Sequence, residues 1–198
     1  MTKIRSINLF HFHFYFYCPR KASVPQHHVS DVMRQFRAVI RSLVTQYGTL
    51  VALDDASIIW KQKGEREKRL KITAQASVIL GLIGPNGRIN RVVIGDDYGG
   101  ISFVSIPKME LIERFVVGDS RIRSLCCSSI SGESILVGCE DGKVHMVGQN
   151  VPNNVVTLFE LEGPASALRV EGTVLHIHQG WERKVVDWMG ENTLLATV

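Results

Sequence analysis

The sequence predicts an all-β fold: a β-propeller of about four four-stranded antiparallel blades, an incomplete or oligomer-completed ring over residues 36–198. Three observations carry this expectation. A skeleton of one small residue, an acid two places on and a large apolar residue six further occurs four times. The copies are Ala52-Asp54-Trp60, Gly95-Asp97-Phe103, Gly138-Glu140-Met146 and Gly180-Glu182-Trp188. Their successive offsets of 43, 43 and 42 residues match the length of a four-stranded blade. Within each copy, short β-prone runs alternate with Gly, Asn and Asp turns, and no helical period competes.

The elements follow in order. Residues 1–35 form a non-repeat leader in which Phe10, Phe12, Phe14 and Phe16 alternate with His11, His13, Tyr15 and Tyr17, the period of a strand. The first blade, 36–73, reads as strands at 38–43, 49–52, 57–60 and 69–72. The second, 74–117, reads as 77–80, 91–94, 101–104 and 111–115, with a longer connection through Pro85-Asn86-Gly87. The third, 118–161, is the clearest: 122–128, a turn at Ser131-Gly132-Glu133, 134–138, the tight turn Glu140-Asp141-Gly142, 143–147 and 155–159. Asp-Gly between apolar runs is a strong hairpin signal. The fourth, 162–198, reads as 166–170, 173–177, 184–188 and a short outer strand at 193–196.

The Ser-Leu starts, the Gly-x-acid turns and the bulky strand ends resemble the WD-repeat family over residues 36–198, most closely at Glu140-Asp141-Gly142-Lys143-Val144-His145-Met146. No copy carries that family's Gly-His dipeptide or a Trp-Asp pair. The quinoprotein-like propellers are a rival resemblance through Ala52, Asp54 and Trp60. Either implies a rigid ring of loops that grips partners. Such rings usually close with about seven blades. Four blades alone would leave two large apolar sheet faces uncovered, so a longer gene product or a second copy is expected to complete the ring.

Charge and cysteine content narrow the function classes. The net charge of +4 sits wholly in the leader, where Lys3, Arg5, Arg20, Lys21 and Arg34 face only Asp31. The repeat region is balanced, which argues against a nucleic-acid face. Two histidines inside the aromatic run and no small-x-small cleavage site argue against a signal peptide, and the run is too short to span a bilayer. Cys18, Cys126, Cys127 and Cys139 have no metal-ligand spacing. Read as reduced, core-filling thiols, they point to the cytoplasm.

Candidate sites are few. Asp54, Asp97, Glu140 and Glu182, with Asp55, Asp96 and Asp141, are expected on equivalent turns along one rim. Hairpin turns select Asp for their own geometry, so turn chemistry is the first reading and a partner-facing acidic rim the second. His176-Ile177-His178 places two imidazoles on one face of a strand, as does His11-Phe12-His13. A metal site needs a third ligand, which the sequence does not place beside either pair. The basic run from Lys61 through Lys63, Arg66, Lys68, Arg69 and Lys71 is broken by Glu65 and Glu67 and reads as a solvated hairpin. Trp60, Phe103, Met146 and Trp188 read as packing residues between blades. The function expected is a non-catalytic scaffold for protein partners, without a cofactor, nucleic acid or membrane. The alternative is a ligand- or metal-binding propeller enzyme using the histidine pairs and rim acids.

Overall fold

A computed structural model describes residues 37–128 and 134–187. The leader with its aromatic strand and His11-His13 pair, Cys18, the turn at 131–133, Trp188 and the outer strand expected at 193–196 lie outside the described residues. Among the described residues, fifteen strands form four antiparallel sheets, each consecutive in the chain, with one short 3-10 turn (Pro152–Asn154) before the last strand of the third. Sheet 1 is β1 (Val39–Val44), β2 (Thr49–Leu53), β3 (Ser57–Lys61) and β4 (Lys68–Lys71). Sheet 2 is β5 (Ala76–Ile83), β6 (Ile89–Asp96), β7 (Gly100–Ser105) and β8 (Glu110–Val116). Sheet 3 is β9 (Ile122–Cys127), β10 (Ser134–Cys139), β11 (Lys143–Gly148) and β12 (Val155–Glu160). Sheet 4 has three described strands, β13 (Ala167–Glu171), β14 (Val174–Gln179) and β15 (Glu182–Asp187). No described helix is long and apolar enough to cross a membrane.

The sheets pack face to face in series, β1 against β5, β5 against β9 and β9 against β13. The middle sheets are therefore buried on both faces, and their second strands carry the apolar runs Val92-Val93-Ile94 and Ile135-Leu136-Val137. In β10, Ile135 and Val137 point into the core shared with sheet 2, while Leu136 points into that shared with sheet 4. In β6, Val93 faces sheet 3, and Val92 and Ile94 face sheet 1. Alternation of side chains along a strand requires this partition.

The repeated skeleton has a physical meaning in the first three sheets. Its small residue is next to last in the second strand, and its bulky residue is fourth in the third strand. Trp60, Phe103 and Met146 are buried, each in a core between two sheets. The small position has no room for a larger side chain. A Cβ on Gly95 would lie 2.7 Å from Ile122 Cγ2 in β9. On Gly138 it would lie 2.4 Å from Ser124 Oγ and 2.7 Å from the Ala165 carbonyl oxygen, at the entry to sheet 4.

The fourth copy departs from this pattern. Gln179 pairs with Glu182, so Gly180 and Trp181 make a two-residue hairpin turn. Gly180 has φ +58°, the left-handed conformation glycine adopts without strain. It is therefore a turn residue, and the position equivalent to Gly95 belongs to His178. Ser77 Oγ donates to the Gly95 carbonyl at 3.0 Å, and Ser166 Oγ to that of His178 at 2.9 Å.

The outward face of sheet 4 also differs from the apolar surface expected there. Leu168 and Ile177 turn inward, so Arg169, His176, His178 and Arg183 share the other face. Arg169 Nη2 lies 2.6 Å from Glu171 Oε1 on that face.

Substituting Gly138 by Ala should lower stability by about 1–3 kcal/mol, because backbone and a buried hydroxyl must shift. Gly118→Ala, which meets nothing within 4 Å, should stay within about 0.5 kcal/mol of the parent. Urea unfolding of the two variants checks the contrast.

Candidate interaction rim

The turns joining second to third strands gather along one edge because the sheet-to-sheet linkers hold them there. Ile72 N donates to Ala56 O and Asp97 N to Gln75 O, tying the first linker to two turns. Val117 N donates to Gly99 O and Glu140 N to Arg121 O across the second linker. Leu161 N donates to Gly142 O, and Gln179 Nε2 donates to Gly163 O at 3.0 Å across the third. The edge thus runs through Asp54-Asp55, Asp96-Asp97, Glu140-Asp141 and the turn before Glu182.

Most of the rim acids hold the turns together. Asp55 Oδ1 accepts from Ser57 N at 3.0 Å, and its Oδ2 lies 2.9 Å from Arg37 Nε. Partial desolvation opposes ionisation there, but the Ser57 hydrogen bonds and the charges of Arg37 and Lys71 hold this carboxyl below its usual range. Asp96 is buried, and its Oδ1 accepts from Tyr98 N at 2.8 Å and Gly100 N at 2.7 Å. Asp141 Oδ1 accepts from Lys143 N at 3.2 Å. Short side chains that bond two residues onward fix hairpin turns. Asp97 Oδ1 lies 3.0 Å from Arg121 Nε without hydrogen-bond alignment, an ion pair linking sheet 2 to the entry of sheet 3. Glu140 Oε2 pairs with Arg123 Nε at 3.1 Å.

Two acids differ. Asp54 is exposed and makes none of the ion pairs among the described residues, and the same holds for Glu182. Glu182 begins β15, opposite Gln179, rather than lying within a turn as expected. The shorter fourth hairpin is the reason. Beside the acids stand two aromatics the sequence reading did not single out. Tyr98 is 70% exposed and Trp181 fully so, each within a turn between second and third strands.

His176 and His178 do share one face of β14. His176 Nε2 lies 3.5 Å from Glu171 Oε2. Cross-strand Arg169 and Arg183 flank the pair, and these cations oppose a metal ion there. Among the described residues no group of three or more His, Cys, Asp or Glu is arranged to hold a metal.

The remaining titratable groups of note are buried. Burial pushes the Cys139 thiol up to about 12, reinforced by Asp141, and also raises Cys126 and Cys127. All three are free thiols suited to packing rather than nucleophilic chemistry. His145 is buried in β11, with Nδ1 3.1 Å from Thr157 Oγ1, and desolvation lowers its pKa from 6.5. Below about pH 6.5 the unfolded chain takes up a proton that folded His145 refuses, so stability falls as pH falls. His145→Gln, which keeps a partner for Thr157, should show a shallower loss of melting temperature between about pH 7 and 5 than the parent. Thermal melts across that range check it.

No family profile matches the chain, and no curated protein matches it. Among solved structures, the chain is similar to the computationally designed Ika4 protein, with a TM-score of 0.60 at 14% identity. The match covers 76% of this chain and 91% of that one, a likeness of fold alone.

Proposed function

We propose that the protein is a non-catalytic scaffold for protein partners, an arc of WD-repeat-like propeller blades that offers its rim turns as the binding surface. One observation carries the reading: Trp181 stands fully exposed at the tip of a two-residue turn, on the edge that also bears Tyr98. Water-exposed indole is unfavourable in isolation and is a frequent anchor of protein interfaces. The turn beneath it is short and set by Gly180, so little freedom is lost when a partner covers it. Asp54 and Glu182 are the rim acids left without counter-ions among the described residues. A partner with an apolar socket rimmed by Lys or Arg complements that pattern. The free cysteines Cys126, Cys127 and Cys139 suit a reducing, cytoplasmic setting. Completion of the ring by a second copy belongs to the same proposal, and the charged outer face of sheet 4 makes such a seam polar.

The test compares proteins retained by the immobilised full chain with those retained by Trp181→Ala and Tyr98→Ala. A partner that uses the rim should bind Trp181→Ala about thirtyfold more weakly. The variant's melting temperature should be unchanged, because the side chain packs against nothing that melting would expose. Partners retained equally by the parent and both variants would overturn the reading.

A further inference from the structure

The sequence singled out one connection that the rim does not use, the long turn between β5 and β6. Both strands have eight residues, whereas the first two strands of the other sheets have five or six. Pairing of β6 with β7 ends at Arg91, so residues 83–90 project past it at the end opposite the rim. The tip is ordered by Gly84 N donating to Arg88 O and Arg88 N to Asn86 Oδ1. The Arg88 guanidinium lies over the Tyr47 ring, 5.2 Å from its centroid, and ties this tip to the turn between β1 and β2.

Two kinds of side chain meet at this end of sheets 1 and 2. The apolar ones are exposed: Val44 (75%) and Ile83 (63%) are the last residues of β1 and β5, with Tyr47 and Pro85 on the turns beyond them. They are neighbours, because β1 packs on β5 and Arg88 bridges the two turns. The charged ones are basic. Lys63 and Arg66 stand exposed on the turn between β3 and β4, Arg88 on the long tip and Lys108 between β7 and β8. None of these four makes an ion pair among the described residues. Glu65 and Glu67 are balanced by Lys68 at 3.7 Å and Lys61 at 2.9 Å, so the four cations face only Glu110, at the start of β8. The rim has the reverse charge. Its turns and linkers bear Asp54, Asp97, Asp119, Glu140 and Glu162 among their acids, and Arg121 is their one cation among the described residues.

We infer that this end docks on the surface of an anionic lipid membrane, with Val44, Tyr47 and Ile83 entering the headgroup layer and the surrounding cations lying over lipid phosphates and carboxylates. Apolar side chains on convex tips need no matched socket, and a lipid surface offers none. Tyrosine beside arginine suits the headgroup level, where aromatic and cationic side chains gather. An anionic surface repels the acidic rim, so the charge asymmetry turns the rim towards solution. The contact is peripheral. It departs from the sequence expectation of no membrane contact, which rested on the lack of a run long enough to span a bilayer. The site stands apart from the rim and does not rest on the reading of Trp181.

The test sediments the full chain with vesicles of phosphatidylcholine alone or with about one-third phosphatidylserine. Only the anionic vesicles should retain it, and raising salt from about 0.1 M to about 0.5 M should release it. Val44→Ser with Ile83→Ser, and separately Lys63→Gln with Arg66→Gln, should each weaken retention about tenfold. Both double variants should melt with the parent, because the four side chains are exposed. In anionic bicelles carrying a spin-labelled lipid, the amides of 44–48 and 84, 86–88 should broaden while that of Tyr98 does not. Retention by neutral vesicles, no retention, or equal retention of the parent and both double variants would overturn the inference. Broadening confined to the rim would do the same. Equal affinity for double-stranded DNA, lost in the Lys63→Gln and Arg66→Gln variant, would overturn it by identifying a nucleic acid as the occupant.

Discussion

The fold depends on how closely one sheet's second strand lets the next sheet's first strand approach. At Gly95 and Gly138 there is no room for a side chain, because Ile122 in one case and Ser124 with Ala165 in the other occupy that space. Ala52, fully buried in the core between sheets 1 and 2, holds the corresponding place in the first copy. This approach sets the sheet spacing at which Trp60, Phe103 and Met146 fill the gaps between faces. It also brings each linker against the turns, where hydrogen bonds tie neighbouring sheets along one edge. Loss of that contact would loosen the core and the rim together.

Much of this frame was legible before any coordinates. Turn chemistry located the strands to within a few residues, because Asp96, Asp141 and Gly142 do in the structure what such residues do in any hairpin. The fourth copy was misread for a definite reason. A glycine required because a neighbour fills its Cβ space and a glycine required for positive φ look identical in a sequence. Gly138 is the first kind and Gly180 the second. Turn chemistry located the acids from Asp54 to Asp141 but not Glu182, and it did not reveal their counter-ions. Arg121 and Arg123 pair with Asp97 and Glu140 across folds of the chain that spacing alone does not reveal. Trp181 escaped notice because one bulky residue beside a turn carries no mark of exposure.

The functional proposal rests on what the frame leaves over. Residues that recur at equal spacing hold sheets apart or close turns, so recurrence in this chain is a signature of construction. Exposed Tyr98 and Trp181 and the long β5–β6 hairpin have no counterpart in every copy, and the frame does not require them. The rim thus carries exposed aromatics beside acids at one end of the sheets.

Native-state hydrogen exchange at low urea tests the central claim most directly, because it reads whether the sheets open together or singly. If close approach at the small positions couples the sheets, the core amides of Val93, Val137 and Ile177 will exchange through one opening event with a common free energy and urea dependence. Separate free energies and slopes for these three amides, one for each sheet, would contradict the account.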